Sequence, residues 1–257
     1  MITEIEDVKS FINIVDAVTA LATLEFSMFF YKDYMSISEL TPDSIGMVSL
    51  KLGKEFFDGY QTDGADDTYE IVAVDGADFL KMLNKFKAFK RLKIETTESA
   101  VKVYASEGKK RKRATLAQIG DPELNDEKVN LTWPTIIKLN ADEFRGAIKD
   151  TNGTDQVAVF RNSPTELTIY SEDDGKISSN EETWLVGDDM LVLMSEPGQG
   201  IWNAETLNDI VSKVGKLSKD VMIHLPGEFG PIKLVYDFPN GILEYILAPM
   251  TDPRYDA

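Results

Sequence analysis

The chain has 257 residues, 43% of them hydrophobic, enough to bury a sizeable core and too many for a disordered chain. Its 44 acidic and 27 basic residues leave a net charge of −17, so the average surface repels nucleic acid and any such contact needs a local basic surface. There is no cysteine, which excludes disulfides, thiolate nucleophiles and Cys zinc sites, and there is one histidine, His224.

The N-terminal MITEIEDVKS is acidic and lacks a signal-peptide apolar stretch, and no apolar run reaches the roughly 18 residues of a membrane span. An intracellular protein with no membrane partner is expected. Val8, Phe11, Ile12, Val15 and Val18 recur at intervals of three and four and predict a first helix. MFFYKDYMSIS, IGMVSLKL and YEIVAV follow as strands, with a turn at Lys32-Asp33. Phe79, Leu80, Leu83, Phe86 and Phe89 form a second helical set, followed by the strands LKIETT and AVKVYAS. The run Lys109 to Arg113 leads into Ala114-Thr115-Leu116 and is expected on a strand.

From Gln118 to Pro134 the chain is polar and acidic, with no periodicity, and reads as an interdomain connection. Phe144, Ala147 and Ile148 mark a third helix and Leu207, Ile210, Val211, Val214 and Leu217 a fourth, with Asn140 and Asn203 as candidate N-caps. QVAVF, ELTIYS, TWLV, VMIHL, IKLVYDF and EYILA are the strands of this half, with turns at Ser163-Pro164, Asp174-Gly175 and Asn240-Gly241. One helix per several strands indicates an α+β fold with large antiparallel sheets.

The two halves repeat. Leu116-Ala117 is answered by Leu247-Ala248 about half a chain later, Phe79, Met82, Leu83 and Phe86 by Leu207, Ile210, Val211 and Val214, and Phe11 by Phe144. An internal repeat dictates architecture before any other reading, and the expected division is a domain at 1–117, a connecting loop at 118–134 and a second domain at 135–257.

Lysines recur on the polar faces of the helices. Lys81 and Lys85 share one face of the second, Arg145 and Lys149 one face of the third, Lys213 and Lys216 lie on the outer face of the fourth, and the first carries only Lys9. Such residues on a single helix are ordinarily just solvated; their recurrence in both copies points to a surface for a polyanion. No aromatic residues interleave with them and no base-reading helix is present, so the implied contact is with phosphates, without sequence preference.

The basic run, with Lys110, Arg111 and Arg113, has three readings: a nuclear-localisation patch, a nucleic-acid patch, or a strand edge protected from self-pairing. The second copy carries an acidic strand region instead, Glu172 to Asp174 and Glu181-Glu182 with Ile177 between them. Basic and acidic edges are expected to meet head to tail between subunits.

Other chemistry finds little support. The acidic turns at 63–67 and 171–175 lack the full calcium-loop pattern, there is no glycine-rich phosphate loop, and His224 has no nucleophile motif beside it. Neither a metal, a cofactor nor a catalytic role is expected, and a hydrolase using His224 as base is the weakest alternative.

Tyr245-Ile246-Leu247-Ala248-Pro249, LTPDSIGMVSL at 40–50, Glu143-Phe144 ahead of Arg145 and Lys149, and Lys213 in LNDIVSKVGKLS come in an order and spacing that resembles the sliding clamps of the proliferating cell nuclear antigen (PCNA) family. The resemblance spans nearly the whole chain. It implies two similar clamp domains, each with antiparallel sheets and two helices, and a ring-shaped trimer around double-stranded DNA, either a homotrimer or a heterotrimer with related subunits. It implies that Lys9, Lys81, Lys85, Arg145, Lys149, Lys213 and Lys216 line the hole. It also implies that DNA polymerase, clamp loader, nuclease and ligase dock through short peptides. By position the peptide pocket would be Leu40, Ile45, Ile119, Pro122, Leu124, Pro231, Leu247, Ala248 and Pro249. The setting would be cytoplasm and nucleoid in an archaeon or the nucleus in a eukaryote. The alternative is a clamp-like adaptor or inhibitor that does not encircle DNA and whose acidic surface mimics it.

Overall fold

The computed structural model describes residues 1–22, 24–63, 68–120, 131–151, 157–173, 176–187, 191–194, 196–215, 217–227 and 230–250, with backbone alone at 172–173, 176–180 and 191–194. Four helices form where the apolar periodicity predicts them: α1 Val8–Val18, α2 Gly76–Asn84, α3 Ala141–Thr151 and α4 Ala204–Val214. Each begins at an Asp or Asn whose side chain satisfies an otherwise orphaned N–H of the first turn. Asp7 accepts from Ser10 N (3.0 Å), Asp75 from Asp78 N (2.8 Å), Asn140 from Asp142 N (2.9 Å) and Glu143 N (3.2 Å), and Asn203 from Thr206 N (2.8 Å).

The apolar stripes are the buried ones. Val8, Phe11, Ile12 and Val15 of α1 and Phe79, Met82 and Leu83 of α2 are buried, as are Phe144, Ala147 and Ile148 of α3 and Leu207, Ile210, Val211 and Val214 of α4. Each fully buried large apolar side chain contributes on the order of 2 kcal/mol of transfer free energy. Edge-on aromatic pairs fix the helices to the sheets: Phe26 against Phe79 at 6.0 Å, and Phe144 against Phe160 at 6.1 Å.

The chain separates into two compact units. One comprises Met1–Pro42, Met47–Glu127 and Phe238–Leu243; the other Asp43–Gly46, Lys128–Asp237 and Glu244–Ala257. In the first, β1 Ile2–Ile5, β2 Glu25–Phe30, β3 Tyr34–Leu40, β4 Gly46–Gly53, β5 Gly59–Gln61, β6 Glu70–Asp75, β7 Leu92–Thr97, β8 Ala100–Glu107 and β9 Lys110–Ala117 surround α1 and α2 in chain order. They pair as β5-β1-β7-β8-β9 and as β4-β3-β2-β6. The second half repeats this with β10 Thr135–Asn140, β11 Val157–Asn162, β12 Glu166–Asp173, β13 Lys176–Leu185, β14 Leu191–Met194, β15 Gly198–Asn203, β16 Asp220–Leu225, β17 Ile232–Phe238 and β18 Gly241–Leu247. Its orders are β14-β10-β16-β17-β18 and β13-β12-β11-β15, the same two patterns strand for strand. The predicted duplication is therefore one of topology as well as of sequence.

Two features depart from the sequence pattern. The apolar spacing runs on to Phe89, but α2 stops at Asn84; Lys85 N bonds Met82 O (3.1 Å) and Phe86 N bonds Leu83 O (2.8 Å). These i→i+3 turns keep Phe86 and Phe89 on the apolar side after the helix has ended. Lys85 is thus the C-cap rather than a helical residue. The short strands β5, β10, β14 and β15 carry no clear alternation and were not legible. The Asp174-Gly175 turn lies outside the described residues. The Asn240-Gly241 turn is present, with Asn240 in the left-handed region at φ 62°. Among the described residues no helix is long and apolar enough to cross a membrane.

Candidate functional site

Three groups of residues were singled out from sequence. The helix-face cations are exposed at Lys9, Lys81, Lys85 and Lys149 and half-buried at Arg145 and Lys213. Lys216 lies outside the described residues. Their electrostatic states differ. Arg145 Nη2 is bound to Asp142 Oδ1 at 2.8 Å, one turn earlier on α3. Lys9, Lys81, Lys85 and Lys149 sit in no ion pair among the described residues. Acidic residues gather in the first turns, Asp78 on α2, Asp142 and Glu143 on α3 and Glu205 on α4, and the last turns carry Lys81, Lys149 and Lys213. This ordering complements the helix macrodipole. It also leaves the helix faces mixed in charge, thinner in cations than a dedicated polyanion surface.

The basic run is on an edge. β9 is the last strand of its sheet and pairs on one side only, with β8, from Ala100↔Ala117 to Glu107↔Lys110. Alternation splits its side chains. The Arg113 guanidinium lies 5.4 Å from the Tyr104 ring centre on one face. Lys112 turns to the other, its Nζ 5.4 Å from the Phe86 ring centre and donating to Lys85 O at 2.7 Å. Lys110 and Arg111, like their neighbours, are exposed. The acidic region is on an edge too: β13 ends the sheet β13-β12-β11-β15. Its register with β12 shifts between Tyr170↔Glu181 and Glu172↔Ile177, a bulge of the kind that discourages promiscuous edge pairing. Glu181 is exposed; Ile177 has its backbone in β13, and its side chain lies outside the described residues.

The peptide-pocket residues divide between the units. In the first, Leu40 ends β3, half-buried, and Ile119 N bonds Ala73 O at 3.0 Å. In the second, Ile45 is 46% exposed and its carbonyl accepts from Ala248 N at 2.8 Å, which ties the exposed side chain to the C-terminal Ala248-Pro249. Leu247 is buried, so it supports that segment from the core and has no surface to offer. Pro122 and Leu124 lie outside the described residues.

Sequence reading missed Trp133. Its indole Nε1 donates to Pro231 O at 3.0 Å, its ring stands edge-on to His224 at 5.8 Å, and Lys233 Nζ lies 5.5 Å from the ring centre. The available signal was a lone Trp before Pro134 at the start of a half. His224 itself is a strand residue of β16, as expected, and burial, with help from Lys233, pushes its pKa below the usual imidazole value. Among the described residues no group of three or more potential metal ligands comes together.

No family model matches the chain. Curated relatives do, among them two sliding clamps of archaea. The DNA polymerase sliding clamp 1 of Pyrobaculum aerophilum is 26% identical over 255 residues, 96% of each chain. The DNA polymerase sliding clamp of Methanococcus vannielii is 22% identical over 218 residues, 82% of this chain and 84% of the relative. Among solved structures, the PCNA of Entamoeba histolytica superposes with a TM-score of 0.84 at 16% identity, covering 97% of this chain and 98% of that one. A chain of the PCNA2–PCNA3 complex of Sulfolobus tokodaii does so with a TM-score of 0.82 at 20% identity, over 98% and 100%. A chain of A. fulgidus PCNA bound to the C-terminal region of FEN-1 gives 0.82 at 18%, over 98% of each. With its duplicated order of helices and strands, this chain has the fold of the PCNA structures and is similar along nearly its full length to curated DNA polymerase sliding clamps.

Proposed function

We propose that the protein is a DNA sliding clamp, a processivity factor that encircles duplex DNA and tethers DNA polymerase and other replication and repair enzymes inside the cell. The observation that carries the reading is the duplicated topology, which leaves a basic edge strand, β9, in one half and an acidic edge strand, β13, in the other. One chain therefore presents two different, complementary edges, and three chains joined head to tail close a ring. Lys110, Arg111 and Arg113 meet the strand of Ile177 and Glu181 at each joint. Weak phosphate contacts from Lys9, Lys81, Lys85, Arg145, Lys149, Lys213 and Lys216 suit such a device, because a closed ring is retained by topology and must slide.

Partners dock by short peptides at Leu40, Ile45, Ile119, Pro122, Leu124, Pro231, Ala248 and Pro249, with Leu247 beneath. The FEN-1-bound relative supports a nuclease among them. Related subunits joining in one ring are supported by the PCNA2–PCNA3 neighbour. The reading assigns no catalytic step to the chain.

The test is retention on DNA. Loaded onto closed circular duplex, the protein should stay bound through gel filtration and fall off when the circle is cut. Binding that is indifferent to cutting would favour the non-encircling adaptor and overturn the clamp.

A further inference from the structure

The two copies of the repeat differ at one place in a way that bears on how this chain holds DNA. In the first unit the opening turn of α1 and the segment after α2 line a groove of about 730 Å³, with Lys9 on one side and Lys87, Lys90 and Arg91 on the other. Arg91 is engaged by Glu6, and Asp7 is occupied as the α1 cap. Lys9, Lys87 and Lys90 are exposed and have no ion pair among the described residues. The nearby Lys85 carbonyl is taken by Lys112, which adds a further cation beside the groove.

In the second unit the corresponding described residues carry less free positive charge. By the repeat, Lys9 corresponds to Asp142, Lys87 to Gly215 and Lys90 to Ser218. Asp142 holds Arg145 at 2.8 Å, and Arg145 Nη1 lies 2.5 Å from where a Cβ on Gly215 would stand. The missing side chain thus makes room for a guanidinium that is already paired. Ser218 donates its hydroxyl to Asp220 O at 2.8 Å, and Lys219 is the exposed cation of this segment among the described residues, Lys216 lying outside them.

We propose that the groove of the first unit is a phosphate-binding site for the backbone of duplex DNA, and that its counterpart in the second unit is not, so that each chain grips DNA mainly through one of its two copies. This rests on the clamp reading for the identity of the ligand. Lys87 and Lys90 lie beyond the end of α2, and they bring free charge where the helix faces are mixed. Lysine ammonium groups on long, unpaired stems suit phosphates that pass without a fixed register. Phe89 packs against Phe86, ring centres 6.2 Å apart, and so serves the groove's floor and not base stacking, which favours duplex over single strands.

The experiment is fluorescence anisotropy of a labelled duplex oligonucleotide with the purified full chain across a salt series. Lys87→Ala/Lys90→Ala should bind roughly tenfold more weakly at low salt and flatten the slope of log affinity against log salt by about 1.8, the counterion release of two phosphates. Lys87→Arg/Lys90→Arg should restore both, and Lys219→Ala should leave both near the parent values. An unchanged slope in Lys87→Ala/Lys90→Ala, or an equal loss in Lys219→Ala, overturns the site even where the parent is retained on closed circles. A flattened slope in a protein that circles do not retain keeps the site and overturns the clamp.

Discussion

Glu39 is a carboxylate used as a backbone substitute. β2 pairs with β6 along its whole length, from Glu25↔Asp75 to Phe30↔Glu70, but with β3 only from Met28↔Ile37 to Phe30↔Met35. Where the two strands part, Glu39 Oε1 accepts from Ser27 N at 2.6 Å, the place a ladder carbonyl would hold. Burial pushes its pKa up to about 7, the Ser27 N–H opposes the rise, and the charge of Glu25 adds to it. The folded protein favours the neutral acid, so the stabilisation is complete below about 4.5 and is lost as pH rises through about 7. After allowance for solvent screening, ionisation costs roughly 1–2 kcal/mol. Glu39→Gln should keep the acceptor and remove the charge. As pH rises from about 5 to about 8 the parent's urea midpoint should fall relative to that of the variant; a variant with the parent's pH dependence would exonerate Glu39.

At the scale of elements, the helix caps and strand edges carry testable weight. Asn203 accepts from both Thr206 N (2.8 Å) and Thr206 Oγ1 (3.1 Å). Asn203→Ala should lower stability by about 1 kcal/mol, read as a Tm drop of about 2–4 °C, and Asn203→Asp should recover it. No drop would mean the first turn of α4 is held by packing alone. Assembly, by contrast, should answer to β9. Charge reversal by Arg111→Glu/Arg113→Glu should dissociate the oligomer, and adding Glu181→Lys should bring part of it back; an unchanged mass in light scattering would remove these edges from the interface.

The elements were legible to the extent that their signals are local. Four helices follow from spacing, the Asn140 and Asn203 caps from residue type, and the edge character of β9 from five consecutive cations that no buried strand could hold. The end of α2 was not legible, because tighter turns carry Phe86 and Phe89 on the same side as a helix would. Nor was the state of the site residues. That Leu247 is buried beside exposed Ile45 and that Trp133 reaches Pro231 are long-range facts, and that Arg145 is spent on Asp142 one turn away while Lys9 is free is a matter of side-chain conformation that residue type does not fix. Residue type and spacing list the cations; pairing decides which are available.

At the scale of the whole molecule, the net charge of −17 and the basic edge pull in opposite directions. Identical chains this acidic repel one another at long range, and in the proposed ring the attraction that overcomes this would be concentrated at the β9 and β13 edges. Exposed charges act over about 10 Å at about 0.1 M salt and about 3 Å at about 1 M, so added salt weakens the local attraction as well as the general repulsion. The two effects differ in range: the repulsion is screened first, at moderate salt, while close pairs at the joint are lost only at high salt. Assembly should therefore pass through a maximum. Light scattering of the chain alone should give about three times 28.7 kDa near physiological salt, with dissociation both on dilution into very low salt and above roughly 1 M. A mass that stays trimeric at every salt concentration would mean that backbone pairing and apolar contact hold the joint without the charges. A mass of one chain throughout would mean that its edges are complementary to those of different subunits, and that the ring is built from related chains.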